Sequence, residues 1–124
     1  MANLLLVVVG GGIGAGVRHL ANIGALRLFG PSYPWGTMAI NIIGSFVMGL
    51  FVASLIRRGG SNELRLFVAT GILGGFTTFS AFSLDFATLW ERGATVPALG
   101  YALASVLGAI TALFVGLWLA RSLP

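Results

Sequence analysis

The sequence predicts an all-α integral membrane protein of four transmembrane helices, and three observations carry that prediction. Hydrophobic residues make up 57% of the chain and charged residues 8%, which leaves too little polar surface to coat a soluble domain. Mean hydropathy is +1.00. A helix needs about 20 apolar residues to cross the hydrocarbon, so 124 residues hold four spans with little left for loops. A single membrane domain is expected over residues 1–124, with spans at 2–29, 36–56, 63–90 and 96–121.

The same inventory excludes several classes of function. All seven basic residues are arginines, most of them near predicted span ends, where they snorkel and set topology. No nucleic-acid surface is expected. Cysteine is absent and histidine occurs once, so there is no disulfide framework, no thiolate metal site and no nucleophile and base pair in one plausible cleft. The chain is not expected to be an enzyme. The N-terminal apolar run has no charged n-region and continues through Gly12, which reads as the first span rather than a cleaved signal.

Span one, 2–29, contains Gly10, Gly11, Gly12, Gly14 and Gly16. The pairs Gly10/Gly14 and Gly12/Gly16 are small-xxx-small spacings that let helices approach closely. Arg18 follows inside the same apolar pattern. An arginine at that depth is either a pairing or electrostatic residue, or it snorkels from a tilted helix to the headgroups. Gly30-Pro31-Ser32-Tyr33-Pro34 is a turn signal, and Tyr33 with Trp35 marks a water interface. Span two, 36–56, carries one strongly polar side chain, Asn41, with Ser45 on the same face. An amide in hydrocarbon needs partners: it either glues the bundle or serves a polar path.

Span three, 63–90, stops behaving like ordinary membrane sequence between Thr70 and Asp85. Gly71, Gly74 and Gly75 weaken a helix, and Thr77, Thr78 and Ser80 can cap a new one. A break near the bilayer midplane is therefore expected. Broken backbone is tolerated there only when buried in protein or lining a wet cavity. Its two half-helix ends would attract cations through carbonyls and anions through N–H groups. Phe79, Phe82 and Phe86 recur at helical spacing as a ridge that packs or lines a path. Asp85 is a proton-handling group or an interfacial charge.

Span four, 96–121, places Tyr101 and Ser105 on one stripe that Ala109 interrupts, and Gly100, Ala104 and Gly108 form a second small-residue face. Four spans put both termini on one side. That side holds Arg57, Arg58, Arg65 and Arg121, and the other holds Arg27, Arg92 and, if it snorkels, Arg18. So slight a bias imposes neither orientation, which permits insertion both ways up and an antiparallel, dual-topology homodimer.

Three stretches together resemble the Fluc/CrcB fluoride-channel family: Gly10-Gly-Gly-Ile-Gly-Ala-Gly-Val-Arg18, Gly36-Thr-Met-Ala-Ile-Asn41-Ile-Ile-Gly-Ser-Phe46, and Gly71-Ile-Leu-Gly-Gly-Phe-Thr-Thr-Phe-Ser-Ala-Phe-Ser83. They lie in three of the four spans, in order. The chain departs from the family pattern at His19, Ala81, Asp85 and Ala109. The resemblance implies a homodimer with two antiparallel fluoride pores and a structural sodium ion on the two-fold axis. It also implies that the backbone carbonyls of Gly74 and Thr77 from both subunits hold the sodium. Phe79 and Phe82 match the family's pore aromatics, Asn41 its pore amide, and Tyr101 and Ser105 the start of its polar track.

Elementary chemistry agrees with that set. Fluoride is small and strongly hydrated, so a selective path must replace water with close donors. The Asn41 amide, hydroxyls such as Ser80 and Ser105, and the electropositive edges of phenyl rings are such donors. Passive fluoride export across a bacterial inner membrane, with lipid as the surrounding partner, is the expected function. The alternative is a small proton-coupled multidrug exporter, which would hold an ionisable carboxylate deep in a span; span one has none.

Overall fold

A computed structural model describes residues 1–124. It is all-helical, with four helical runs long and apolar enough to cross a membrane: Ala2–Phe29, Trp35–Arg58, Asn62–Glu91 and Thr95–Ser122. Within them, α1 is Ala2–Phe29, α2 Trp35–Arg57, α3 Asn62–Arg65, α4 Gly74–Phe76, α5 Phe79–Glu91 and α6 Thr95–Ser122. A π-helical segment, Leu66–Leu73, joins α3 to α4.

Each run ends for a local reason. Gly30 closes α1 at φ 77°, in the left-handed region that favours glycine, and its N–H returns to Leu26 O. Ser61 caps α3 by accepting from Leu64 N. At the C-terminus of α6, Arg57 donates to Ala120 O. A cation on an orphan terminal carbonyl complements the helix dipole.

Apolar side chains cover the outside. Only 16 of the 124 residues are buried, while Val8, Leu20, Leu103, Leu107, Phe114 and Trp118 are exposed. In water such a surface would aggregate. In lipid it is the expected coat, and the chain is a multi-pass membrane protein.

Glycine decides which helices touch. α1 lies on the π-helical segment and α4, and α2 packs most extensively on α6. A Cβ on Gly10 would sit 3.0 Å from Gly71 Cα, and one on Gly14 would sit 2.8 Å from Phe76 N. On the other side, a Cβ on Gly116 would lie 3.2 Å from Gly49 Cα. These are backbone-to-backbone contacts that admit no side chain. The expected small face of α6 behaves differently: Gly100 meets nothing within 4 Å, and Ala104 is exposed. Of that face only Gly108 is close to a neighbour, the Ile42 side chain, and the backbone-to-backbone contact on α6 is made about two turns further on, at Gly116.

Gly71, Gly74 and Gly75 also differ from expectation. Gly71 lies in the π-helical segment and Gly74 in α4, the latter with φ −64° and ψ −36°. All three remain helical, and at Gly71 and Gly75 the missing side chain lets α1 approach, whereas a Cβ on Gly74 would meet only Ala69 O, at 3.5 Å. A Cβ on Gly75 would clash with Gly11 O and sit 3.0 Å from Gly11 Cα.

Candidate functional site

The extended backbone in the third run belongs to two threonines. Thr77 has φ −84° and ψ 157°, and Thr78 has φ −154° and ψ 125°. Both are β-branched and accept extended dihedrals without strain. Thr77 is pinned from one side, since its N–H and its Oγ1 each donate to Leu73 O at 3.0 Å. Thr78 is the N-cap of α5, its Oγ1 accepting from Ala81 N at 3.2 Å.

Asn41 on α2 completes the arrangement. Its Oδ1 accepts from Thr78 N at 2.8 Å, and its Nδ2 donates to Thr78 O at 3.0 Å. The two bonds form a closed ring with the backbone of one residue. Buried backbone groups that leave a helix must find partners, and this amide supplies both. The Thr77 carbonyl is different: no group of the chain donates to it.

Beside this junction lies a cavity of about 310 Å³, lined by Asn41, Ser45, Thr77, Thr78, Phe79, Phe82, Ser105, Val106, Ala109 and Ile110. Of the residues expected to line a path, it collects Asn41, Phe79, Phe82 and Ser105. Ser105 is 4% exposed, and its Oγ has no hydrogen-bond partner. A buried hydroxyl without a partner costs about 1–3 kcal/mol. Phe79 and Phe82 lie with centroids 5.5 Å apart. Phe79 is 76% exposed on the isolated chain.

Tyr101 and Ser80 stand outside that cavity. Tyr101 is fully buried in a small core with Leu89 and Ala98. Its ring packs at 5.2 Å on Phe82 and meets Tyr33 edge-on at 5.7 Å. Its hydroxyl donates to Asp85 Oδ2 at 3.1 Å. Ser80 is exposed, with Oγ 3.3 Å from Thr78 Oγ1. Arg18 is half-buried on α1 and lines neither this cavity nor the next.

Toward the 30–36 turn, a second cavity of about 380 Å³ opens, bordered by Asn22, Thr37, Asp85, Thr88 and Arg92 among others. Arg92 donates to Ser32 O at 2.8 Å and ties that turn to the end of α5. Burial raises the Tyr33 phenol pKa at this mouth. Sequence reasoning missed Thr37, although it sits on the Asn41 face one turn earlier. Its position four residues before Asn41 was the available signal.

His, Cys, Asp and Glu do not cluster anywhere as a metal site. A hard cation on this chain would therefore rely on backbone oxygens. The unpartnered Thr77 carbonyl and Gly74, exposed on the surface of the chain, fit that donor set. One chain supplies only part of a coordination shell.

Comparison with known proteins completes the description. The family model described as "CrcB-like protein, Camphor Resistance (CrcB)" matches residues 5–117. A "Fluoride-specific ion channel FluC" of Mesorhizobium japonicum is 86% identical over 124 residues, covering 100% of both chains. Proteins of the same name from Chelativorans sp. and Agrobacterium fabrum are 63% and 52% identical, each over 99% of both chains. These relatives are named as ion channels, not enzymes. With the family model matched over residues 5–117, the chain belongs to the CrcB-like family.

Proposed function

We propose that this protein is a fluoride-selective channel that lets fluoride leave the cytoplasm passively. The observation that carries the proposal is the cavity that Asn41, Phe79, Phe82 and Ser105 line together, with the Ser105 hydroxyl unpartnered. Full-length identity to proteins named fluoride-specific channels supports the ion.

The working unit is an antiparallel homodimer in a bacterial inner membrane, with two pores. In it the third run is a helix broken near the bilayer midplane at Thr77 and Thr78. Fluoride moves along the cavity face, exchanging hydration water for Asn41, Ser105, Ser80 and the ring edges of Phe79 and Phe82. Tyr101 holds Phe82 in place and continues the track toward Asp85. Gly74 and Thr77 carbonyls of both subunits hold a sodium ion, which supplies a fixed positive charge beside the anion path. Arg18 adds positive potential from outside the cavity. Conduction needs several weak sites rather than one tight one, and a set of hydroxyls and ring edges without a pore-lining guanidinium meets that need.

Purified protein in liposomes tests this reading. Fluoride is expected to leave down its gradient with little chloride, and efflux no faster than from empty vesicles, or equal chloride movement, would refute it.

A further inference from the structure

We propose that Asn41 is a positioning residue for the cation site: by holding the Thr78 backbone it frees the Gly74 carbonyl and aims the Thr77 carbonyl away from the pore. The inference rests on the sodium-bridged dimer proposed above. It assigns to the pore amide a second role, exerted through the backbone.

The geometry has two parts. In a continuing α-helix the N–H of Thr78 would donate to the carbonyl four residues back, that of Gly74. Asn41 Oδ1 accepts that N–H instead, at 2.8 Å. Gly74 keeps helical dihedrals, so its carbonyl still points along the axis toward the break, without the Thr78 partner that helix continuation would bring.

The second part concerns the peptide between Thr77 and Thr78. The chain has no cis peptide bonds, and a trans peptide is planar with its N–H and C=O directed oppositely. Holding the N–H toward Asn41 therefore turns the Thr77 C=O to the far side. Asn41 Nδ2, donating to Thr78 O at 3.0 Å, holds the next peptide, so Thr78 is anchored on both sides. On the other side, the Thr77 N–H and Oγ1 are both engaged on Leu73 O, which anchors the preceding peptide and the Thr77 side chain. The Thr77 carbonyl, to which nothing in the chain donates, is left as a fixed outward-facing acceptor. One amide thus serves the anion face with its side-chain dipole and the cation face through a peptide plane.

Sodium dependence of assembly, read without any flux, tests the assignment. The fraction of dimer in detergent, by size-exclusion chromatography or cross-linking, is titrated with NaCl at constant ionic strength against N-methylglucamine chloride. Asn41→Leu, which removes both bonds at similar volume, is expected to raise the sodium midpoint about tenfold or more, the equivalent of about 1.4 kcal/mol. Asn41→Ser, too short to reach Thr78, is expected to shift it likewise and serves if the leucine variant does not assemble. Asn41→Asp keeps the acceptor for Thr78 N–H, so its midpoint should stay at or below the wild-type value even where fluoride flux is lost. A wild-type midpoint retained in the leucine or serine variant would overturn the proposal alone. So would an Asp variant as weak as the leucine one. Sodium-independent dimerisation of the wild-type protein would overturn both this inference and the cation site on which it stands.

Discussion

Tyr101, on α6, donates its phenolic hydrogen to Asp85 Oδ2 on α5 at 3.1 Å, from a ring that is fully buried. The bond joins the last two helices across the polar side of the bundle, next to the contact of Tyr101 with Phe82. Tyr101→Phe keeps the ring and its stacking and deletes only the donor. Its expected cost is about 1–2 kcal/mol, seen as a lower transition temperature when thermal unfolding in detergent is followed by tryptophan fluorescence. An unchanged transition would mean that the carboxylate finds an equal partner elsewhere.

Ser105 reverses the usual expectation for removing a polar group. Its Oγ is buried and bonded to nothing, so Ser105→Ala deletes an unsatisfied hydroxyl and should leave thermal stability equal or raise it by up to about 1 kcal/mol. Fluoride efflux should nonetheless fall, because the cavity loses a donor. Lower stability with normal efflux would assign Ser105 to packing.

Among the glycines of α1, position decides the outcome. A side chain at Gly14 would run into the backbone of Ile72 and Phe76, whereas Gly12 meets nothing within 4 Å. Gly14→Leu should prevent folding, with no monodisperse protein on size-exclusion chromatography. Gly12→Ala should purify normally, since alanine in a helix is favoured over glycine by about 1 kcal/mol. Similar behaviour of the two variants would count against the close contact of α1 with the π-helical segment.

The helices were legible because hydrophobic length is a property of local composition. What glycine does at a given position was legible only in part. Gly10 and Gly14 make the close contact that their spacing predicts, yet Gly71, Gly74 and Gly75, read as helix-weakening, stay helical, Gly71 and Gly75 against α1. A glycine licenses a bend and a close approach equally, and only the neighbouring helix chooses between them. The same ambiguity hid Gly116, whose partner Gly49 is far away in sequence, and made the Gly100 and Ala104 face look like an internal contact. Of the candidate site, Asn41, Phe79, Phe82 and Ser105 meet in one cavity. Tyr101 instead reaches Asp85 from a buried core. That Asn41 would bond a backbone rather than a side chain could not be read at all, since every backbone offers the same two groups.

Thr78 stands outside any helix, and yet its N–H and C=O are both satisfied by one amide held in α2. Its backbone proton should therefore exchange with deuterium as slowly as those of the flanking helices, unlike that of an ordinary interhelical linker. The two segments on either side would then move together as a welded joint. Any gating motion of this protein would have to come from somewhere other than a swing about that point.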